Sequence, residues 1–404
     1  MRRLYSLGVR VYRFGIFLYS LFNQKARQWI EGRKNWKDRL RDANIKGAIW
    51  IHCASLGEFE QGRPVLEGIK KSHPEKKLLL TFFSPSGYEI RKNYEIADCV
   101  CYIPLDTRSN AQTFIDLVQP EFAIFVKYEV WHNFFGELSK RGIAHFIISA
   151  IFRADQVYFK NYGAWFRKTL TRTTKIFTQD HRSLELLQDY AISNAEYAGD
   201  TRFDRVFEIA QKSKRLQRAE QFSGSHLTLV AGSTWAADEK FLSEALKDFP
   251  DIKLIIAPHE VDQKHIRALQ NQFPASTLWS DSETEIKNCK TLIIDTIGIL
   301  SALYASGNVA YVGGGFGSGI HNTLEPASFG IPVLFGPNFS KFKEAGDLIS
   351  AGGAFSFSNS TGLKKLLSKM HTNENYRKNA GKIAKQYVEE NRGAAQKILD
   401  EIID

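Results

Sequence analysis

The chain has 404 residues, of which 43% are hydrophobic and 24% charged, and its formal net charge is +10. This length exceeds one ordinary hydrophobic core and predicts two domains, while the composition excludes disordered and collagen-like proteins. Residues 1–50 carry twelve Lys and Arg but only three acids, so nearly all the excess charge lies at one end. A nucleic-acid binder usually spreads its charge along a groove, and we therefore expect no nucleic acid as a partner.

Residues 1–36 interleave these basic residues with aromatic and aliphatic side chains. The uncharged stretch between Arg13 and Lys25 is far shorter than the ~20 apolar residues that span a bilayer. Aromatic and aliphatic residues beside arginines favour a helix that lies in the membrane interface, against anionic headgroups. The alternative is an amphipathic helix that packs on the protein's own core.

The cysteines and histidines give no sign of a metal site. The four cysteines, Cys53, Cys99, Cys101 and Cys289, lie in or beside apolar stretches, as expected for reduced, mostly buried thiols of a cytoplasmic protein. No cleavable signal peptide is apparent. The sequence has no His-x-x-x-His pair and no Asp-x-Asp motif that could chelate a metal-bound diphosphate. We therefore expect no metal and no other cofactor.

From Gly47 onward, short apolar runs alternate with helical patterns. The first series predicts strands at 48–53, 77–83, 99–103, 122–126, 144–148 and 175–178, and the second at 227–231, 252–257, 291–295, 308–312 and 332–335. Such alternation is typical of parallel sheets covered by helices on both faces. The predicted fold class is therefore α/β, with two doubly wound Rossmann-like domains that face each other across a cleft.

The expected domain boundaries follow from the same alternation. Residues 1–36 form the basic aromatic segment, 37–205 the N-terminal domain, 206–226 a polar linker, 227–385 the C-terminal domain, and 386–404 a C-terminal helix that packs back on the N-terminal domain. Because ligands bind at the carboxyl ends of parallel strands, polar residues that follow strands are the candidates for the site.

A glycine-rich loop in the second series is the most distinctive motif. Five glycines between Gly313 and Gly319 follow an apolar strand, and a helix is predicted from about Asn322 to Phe329. Glycines let the backbone approach a ligand closely, and a helix N-terminus attracts an anion. Glu325 could accept hydrogen bonds from ribose hydroxyls. The spacing fits neither the dinucleotide fingerprint nor an ATP or GTP phosphate loop. A turn whose glycines serve packing alone is the alternative.

In the first series, charged residues follow two of the predicted strands, and Arg202 lies just before the linker. Glu58 comes directly after Gly57 at the start of a helix, where a carboxylate can act as general base on a hydroxyl, or can simply complement the helix N-terminus. Glu129 could be a second acid or hold sugar hydroxyls, and Lys127 could steady a negative charge or neutralise Glu129. Arg202 could bind a carboxylate or phosphate. In the second series, Ser233 and Thr234 could hold phosphate, and His259 is more typical of a polar loop.

Taken together, these motifs resemble the 3-deoxy-D-manno-octulosonic acid (Kdo) transferases of lipopolysaccharide assembly. The resemblance extends to about residue 400 and is carried by Ser55-Leu-Gly-Glu58, Ser84-Pro-Ser-Gly87, Glu129-Val-Trp131, Gly199 to Asp204, Gly232-Ser-Thr234, and Gly313 to Pro337 with its His321-Asn-Thr-Leu-Glu-Pro326. It implies the glycosyltransferase B (GT-B) fold. It also implies inverting transfer of Kdo from CMP-Kdo to a lipid A precursor, at the cytoplasmic face of the bacterial inner membrane.

The resemblance also implies roles for individual residues. Glu58 would accept the proton, and Asn322 to Glu325 would hold the cytidine monophosphate. The predicted catalytic residues are Glu58, Lys127, Glu129 and Arg202. The predicted acceptor-binding residues are Ser55, Gly57 and Arg63. The predicted donor-binding residues are Ser233, Thr234, Pro258, His259, Gly298, Ile299, Leu300, Gly315, Gly317, Asn322, Thr323, Leu324 and Glu325.

Several positions depart from the family pattern. Pro258-His259 stands where many members have Pro-Arg, and Gly298-Ile299-Leu300 where they often have Gly-Glu-Met. Lys127 replaces an acidic residue and reverses its charge, whereas Arg202 replaces a lysine and keeps it. Altered donor contacts are therefore expected. Two alternatives stay open: a GT-B enzyme that uses a nucleoside diphosphate sugar, and a non-catalytic membrane-bound relative.

Overall fold

Two parallel sheets, each with its own core, organise the computed structural model, which describes residues 2–282, 286 and 289–403. The chain divides into two units by its internal contacts. Unit 1 comprises Met1–Arg205 with Arg392–Asp404, and unit 2 comprises Val206–Asn391. The dividing point lies inside one helix, which runs from Thr201 to Lys212.

Unit 1 begins with three helices and then alternates strands with helices. The elements are α1 (Arg2–Ser20), α2 (Gln24–Glu31), α3 (Trp36–Asp42), β1 (Ile49–Cys53), α4 (Leu56–Ser72), β2 (Leu78–Phe82), α5 (Pro85–Arg91), β3 (Cys99–Tyr102), α6 (Arg108–Val118), β4 (Phe122–Val126), α7 (His132–Lys140), β5 (Ala144–Ala150), α8 (Ala164–Leu170), β6 (Lys175–Thr178), α9 (His181–Asp189), β7 (Ala195–Tyr197) and α10 (Thr201–Lys212). Short 3-10 turns at Val157–Phe159 and Asn161–Gly163 precede α8.

The seven strands of unit 1 are all parallel, in the order β3-β2-β1-β4-β5-β6-β7. The central strands are buried along their whole length, as expected for a sheet with helices on both faces. Trp50 and Phe114 lie in the apolar cluster on one face, whereas Ile51 and Phe59 lie in the cluster on the other. The strand order reverses direction between β1 and β4, which makes that pair the topological switch point.

Unit 2 repeats this plan. Its elements are α11 (Gln217–Ser223), β8 (Thr228–Thr234), α12 (Ala236–Leu246), β9 (Lys253–Pro258), α13 (Gln263–Gln272), β10 (Ser276–Leu278), β11 (Thr291–Ile293), α14 (Leu300–Tyr304), β12 (Val309–Val312), α15 (Leu324–Ser328), β13 (Val333–Phe335), α16 (Lys343–Ala351), β14 (Ala354–Ser356), α17 (Ser360–Thr372) and α18 (Glu374–Glu390). The parallel strand order is β10-β11-β9-β8-β12-β13-β14, so the switch point lies between β8 and β12. The predicted α/β class with two doubly wound sheets is confirmed.

The last helix, α19 (Ala394–Ile403), belongs to unit 1 and packs on α4. Ile398 and Ile402 enter the same apolar cluster as Phe59. The Asp204 carboxylate accepts hydrogen bonds from the backbone N–H groups of Gly393 and Ala395, at 2.8 and 3.1 Å. Asp204 therefore caps α19, which gives part of the Gly199 to Asp204 motif a structural role.

A partly buried hydrogen bond helps to tie the N-terminal helix to the domain. The Tyr5 hydroxyl of α1 donates to the Asp106 carboxylate at 2.5 Å, and the backbone N–H groups of Asn133 and Phe134 donate to the same carboxylate. Burial raises the pKa of Asp106 to about 6, although these hydrogen bonds oppose the shift. Leu4, in contrast, is 65% exposed, so α1 is held through one side and leaves apolar residues uncovered.

Some sequence predictions need correction. The strands β7, β10 and β14 were not predicted, because three residues at a sheet edge are too few to show a periodic pattern. The helix predicted from about Asn322 is shorter and starts at Leu324, since the Asn322 side chain accepts the Leu324 N–H and caps the turn.

Candidate active site

In unit 1, the turn after β1 places a buried carboxylate at the switch point. Ser55 is the N-cap of α4 and Glu58 lies in its first turn, where only 8% of the residue is exposed. The Ser55 hydroxyl donates a hydrogen bond to the Glu58 carboxylate. This contact orients Glu58 before any substrate binds. Gly57, between them, is exposed, and an added Cβ would lie 3.8 Å from the Ser55 hydroxyl oxygen, an ordinary contact.

The neighbouring β2–α5 turn supports this arrangement. The Ala54 carbonyl accepts the N–H of Ser84 at 2.7 Å and that of Phe83 at 3.2 Å. A Cβ on Gly87 would lie 3.1 Å from the Ser55 carbonyl carbon and only 2.3 Å from the Phe82 ring. Glycine is therefore required for α5 to approach the Ser55 turn. The Ser84-Pro-Ser-Gly87 motif thus holds the backbone that carries Glu58.

Across the switch point, the residues after β4 provide a second acid. Lys127 has a left-handed backbone (φ 67°), and its N–H donates to the Ile148 carbonyl at 2.8 Å. Burial raises the pKa of the Cys53 thiol, and the nearby charges of Glu58 and Glu129 raise it further. Both carboxylates therefore lie within electrostatic range of one thiol.

His52 is a site residue that the sequence reasoning missed. Its ring is fully buried at the end of β1, with Nδ1 2.9 Å from the Thr81 hydroxyl. Its Nε2 lies 3.9 Å from the Glu129 carboxylate and has no hydrogen-bond partner among the described residues. A buried polar atom without a partner is costly, so a ligand or water that bonds Nε2 would be favoured. The signal was one polar residue inside the apolar run Ile49 to Cys53.

The two predicted arginines of unit 1 already have acidic partners. Arg202 contacts the buried Asp200 carboxylate through Nη2 at 2.7 Å and through Nε at 2.8 Å. Arg63 Nε lies 2.5 Å from Glu67 Oε1. Burial opposes the ionisation of Glu67, but hydrogen bonds from Arg63 and Tyr94 outweigh it and lower the pKa of that carboxyl. Both arginines are therefore positioned by carboxylates, and any ligand would share them.

In unit 2, the switch point is built mainly from backbone. β8 ends at Ser233, whose φ is 54°, and Thr234, whose buried hydroxyl donates to Glu239 at 3.0 Å. The glycine loop follows the neighbouring β12. A Cβ on Gly313 would lie 2.2 Å from the Ser233 carbonyl oxygen, and one on Gly315 2.6 Å from the Gly336 backbone. These glycines are thus required by the contact of the protein's own backbone segments.

Gly317 differs from its neighbours in the loop. It is exposed, and an added Cβ would meet only the Gly314 carbonyl oxygen at 3.6 Å, an ordinary contact. Gly314 and Gly319, in contrast, have positive φ values of 91° and 139°. The packing interpretation therefore accounts for most of these glycines, and Gly317 is the one with room to approach a ligand.

Asp238, at the start of α12, was also missed by the sequence reasoning. Its carboxylate accepts hydrogen bonds from the Tyr311 hydroxyl at 2.6 Å and from the Gly314 and Trp235 N–H groups, both at 2.9 Å. It is 1% exposed. One carboxylate thus ties the glycine loop to the end of β12 and to α12. The acid three residues after Trp235 was the available signal, as it is typical of a helix start.

Three aromatic rings stack beside the loop. The His259 ring lies 4.6 Å from both the Trp235 and the His321 ring centroids. The Trp235 Nε1–H donates to His321 Nε2 at 3.1 Å. Burial and the neighbouring His259 lower the pKa of His321, so that its ring is neutral at physiological pH. Because Nε2 accepts, the His321 proton is on Nδ1. His259 is therefore part of an ordered stack.

The remaining predicted donor residues lie near α14 and α15. Gly298 has φ 97°, and Ile299 and Leu300 begin α14 with their side chains against the apolar cluster on that face. The Ser301 hydroxyl donates to Glu325 in the first turn of α15. Thr323 is buried, and its hydroxyl has no hydrogen-bond partner among the described residues. Pro258 ends β9 and precedes the ring stack.

Among the described residues, one surface group has the ligand types of a metal site: Glu260, Asp262 and His265, whose ligand atoms lie within 4.8 Å of one another. The His265 Nε2 already lies 2.8 Å from a Glu239 oxygen. The two carboxylates are exposed, and such acidic groups are common without an ion. The expectation that the chemistry needs no metal stays a prediction.

Comparison with solved structures shows which class of fold the chain has. The structure is similar to the UDP-GlcNAc 2-epimerase from Neisseria meningitidis bound to UDP-GlcNAc (TM-score 0.63, 14% identity, 88% of this chain and 99% of that chain). It is also similar to Acinetobacter baumannii MurG (TM-score 0.55, 13% identity, 88% and 99%). The chain therefore has the GT-B fold.

Sequence comparison shows which proteins this chain is similar to. Residues 32–205 match the family described as 3-deoxy-D-manno-octulosonic-acid transferase (kdotransferase). Proteins of that name from Aquifex aeolicus and Haemophilus influenzae are 29% and 26% identical to this chain, over 81% and 87% of it and 87% and 86% of their own length. These matches confirm the predicted resemblance to the Kdo transferases, and the chain is a glycosyltransferase.

Proposed function

We propose that this protein is an inverting glycosyltransferase that moves Kdo from CMP-Kdo to a lipid A precursor. The Glu58 carboxylate removes the proton from an acceptor hydroxyl, and the hydroxyl oxygen attacks the anomeric carbon of Kdo. The bond from that carbon to the phosphate oxygen breaks, and CMP leaves with the electron pair. Attack from the side opposite the leaving group inverts the anomeric configuration.

The observation that carries this proposal is the position of Glu58. It lies at the switch point of a parallel sheet, where such folds bind ligands, and its carboxylate is already oriented by the Ser55 hydroxyl. Glu129, on the other side of the same switch point, and His52, at the end of β1, are available to hold acceptor hydroxyls. An acid that served only to complement the helix N-terminus would not need this surrounding group of polar side chains.

The proposal assigns the donor to unit 2. The backbone of Ser233 and Thr234 and the exposed Gly317 bind the phosphate, and Glu325 accepts hydrogen bonds from the ribose hydroxyls. Binding by backbone and hydroxyl groups suits a donor with a single phosphate. Lys127 and Arg202 would offset the charge of the departing phosphate.

The proposed location is the cytoplasmic face of the bacterial inner membrane. No helix among the described residues is both long and apolar enough to cross a bilayer. α1 instead carries exposed apolar residues, including Phe14 at 61% and Phe17 at 51%. A helix of this kind suits peripheral attachment to an anionic membrane surface, beside a lipid acceptor.

The test is an assay with purified protein, a lipid A precursor and different donors. CMP-Kdo is expected to give a product heavier by one or more Kdo residues, as measured by mass spectrometry. UDP-GlcNAc and UDP-glucose are the control donors, because the GT-B fold is shared with proteins that bind UDP-sugars. A product from a UDP-sugar and none from CMP-Kdo would contradict the proposal.

A further inference from the structure

A second pocket lies among α6, α7 and α8 of unit 1 and contains none of the predicted active-site residues. Its volume is about 350 Å³, and we call it the basic pocket. Its lining includes Arg108, Gly136, Lys140, Trp165, Lys168 and Arg172. Gly136, on α7, has no side chain, and an added Cβ would lie 3.9 Å from Arg172 Nη1, so glycine leaves the space open.

The charge of the basic pocket is strongly positive. Its four cations, Arg108, Lys140, Lys168 and Arg172, are exposed, and none of them forms an ion pair with a carboxylate in the described part of the chain. The one acid in the lining is Glu137, which is buried and already accepts a hydrogen bond from Arg141 Nε at 2.8 Å. Some other surface cations of unit 1 do have such a partner, for example Lys76, which pairs with Glu121 at 2.6 Å.

The helix α1 carries an exposed apolar surface. On α1, Leu4, Leu7, Val11, Phe14 and Leu18 repeat at helical spacing and are 46% to 65% exposed; we call them the apolar stripe.

α1 is anchored directly to the lining of the basic pocket. The Tyr5 ring centroid lies 5.7 Å from Trp165 and 5.6 Å from His132, and both of these residues line the pocket. The Tyr5–Asp106 hydrogen bond fixes that contact. The helix that carries the exposed stripe therefore packs against the lining of the basic pocket.

We propose that the basic pocket binds the phosphate of an anionic phospholipid headgroup, while the apolar stripe enters the acyl region beside it. Cations attract the phosphate, and the Trp165 ring suits the headgroup level of a membrane. A soluble phosphorylated metabolite would account for the cations but would leave the stripe exposed to water. This goes beyond the proposed function, since the headgroup is neither donor nor acceptor. It adds a discrete lipid site to the general attraction of the basic N-terminus.

The test measures co-sedimentation of the full chain with vesicles of phosphatidylcholine, alone or mixed with phosphatidylglycerol. The double variant Lys140→Ala/Lys168→Ala is expected to bind the anionic vesicles about twentyfold more weakly, or about fivefold per cation. Binding to phosphatidylcholine alone is expected to stay unchanged. The matched control is Lys46→Ala/Lys71→Ala, which removes the same charge from exposed positions outside the pocket. The control is expected to change binding by less than about twofold, because screening limits distant charges.

A further variant separates a pocket from a diffuse positive surface. Gly136→Leu fills the cavity without any change of charge and is expected to weaken anionic-vesicle binding about tenfold, which is within the range of the cation loss. Gly136→Ala has room for its Cβ and is expected to bind as the unaltered protein does. Unchanged binding by Gly136→Leu, or an equal loss in the Lys46/Lys71 control, would overturn the proposal in favour of diffuse charge.

Two more measurements complete the test. If the Lys140/Lys168 variant loses affinity for inorganic phosphate in calorimetry but binds anionic vesicles normally, the pocket is a free-phosphate site and the lipid assignment is wrong. Kdo transfer in detergent, without a bilayer, is expected to be unchanged in all of these variants. Loss of transfer there would place the pocket in the acceptor site and overturn its separate role, whereas absence of transfer in the unaltered protein would contradict only the proposed function.

Discussion

The two switch points of this molecule differ in whether side chains or backbone atoms form the candidate site. In unit 1, the site consists of side chains: Glu58 is oriented by Ser55, and Glu129 lies 3.9 Å from the buried His52 ring. In unit 2, the site consists largely of backbone. The glycine loop and the end of β8 come so close that a Cβ on Gly313 would not fit. The same topology thus supports an ionisable centre in one unit and a closely packed backbone surface in the other.

This difference indicates a division of labour. Proton transfer needs a titratable group at a fixed position, and Glu58 is such a group. Recognition of a nucleotide phosphate needs donors that do not lose a proton, and backbone N–H groups at a tight turn meet that need. Changes in unit 1 should therefore lower the rate of reaction, whereas changes in unit 2 should alter stability and donor affinity.

The largest expected effect is that of Glu58→Gln. The amide keeps the size of the side chain and can still bond to Ser55, but it cannot accept a proton at neutral pH. We expect kcat for Kdo transfer to fall by about 10²- to 10⁴-fold, with KM for CMP-Kdo nearly unchanged. Thermal unfolding should be similar to that of the unaltered protein.

Glu60→Gln is the matched control for this variant. Glu60 lies on the same helix but pairs with Arg91 at 2.8 Å, away from the Ser55 hydroxyl. Its activity should change little, because a partly exposed ion pair contributes only about 0 to 1 kcal/mol. Equal activity of both variants would show that Glu58 is not the general base. The assignment of the chemical step to unit 1 would then be wrong.

The second prediction concerns the backbone contact in unit 2. Gly313→Ala would bring a Cβ to 2.2 Å from the Ser233 carbonyl oxygen and 2.6 Å from the Thr234 Cα. Backbone atoms cannot move aside as a flexible side chain can, so we expect the free energy of unfolding to fall by about 3 kcal/mol. Urea denaturation followed by far-UV circular dichroism measures this loss.

Gly317→Ala is its control, since the added Cβ has room in the free protein. Stability should be unchanged, while KM for CMP-Kdo should rise if the Gly317 backbone approaches the donor. If Gly313→Ala were as stable as the unaltered protein, the close backbone contact would not explain why glycine is needed at this position.

The sequence was sufficient to predict the two sheets and the position of Glu58. Both depend on local patterns, because an apolar run, a turn and a helix start can be recognised within about twenty residues of sequence. The Asp238–Gly314 contact was not predictable in this way, since 76 residues separate its partners and nothing local links them.

Two other features show where sequence reasoning stops. His52 lies in an apolar strand, and the ring nitrogens of such a histidine usually form hydrogen bonds within the core. Only the structure reveals that its Nε2 lacks a hydrogen-bond partner among the described residues. The glycine loop predicted close approach to a ligand, but no local pattern could say that Gly313 and Gly315 approach the protein's own backbone. That information depends on which strands become neighbours.

The smallest expected effect tests how the glycine loop is held. Tyr311→Phe removes the buried hydroxyl that donates to Asp238 at 2.6 Å but leaves the Gly314 and Trp235 N–H groups in place. We expect the free energy of unfolding to fall by about 1.5 kcal/mol, the usual loss for a hydrogen bond to a charged group. Because the loop is loosened rather than removed, KM for CMP-Kdo should rise several-fold while kcat stays the same. Tyr162→Phe, at a residue that is 69% exposed, is the control and should change neither quantity. A fall in kcat without a change in KM would instead show that the loop affects the chemical step. It would contradict the assignment of chemistry to unit 1 and donor binding to unit 2.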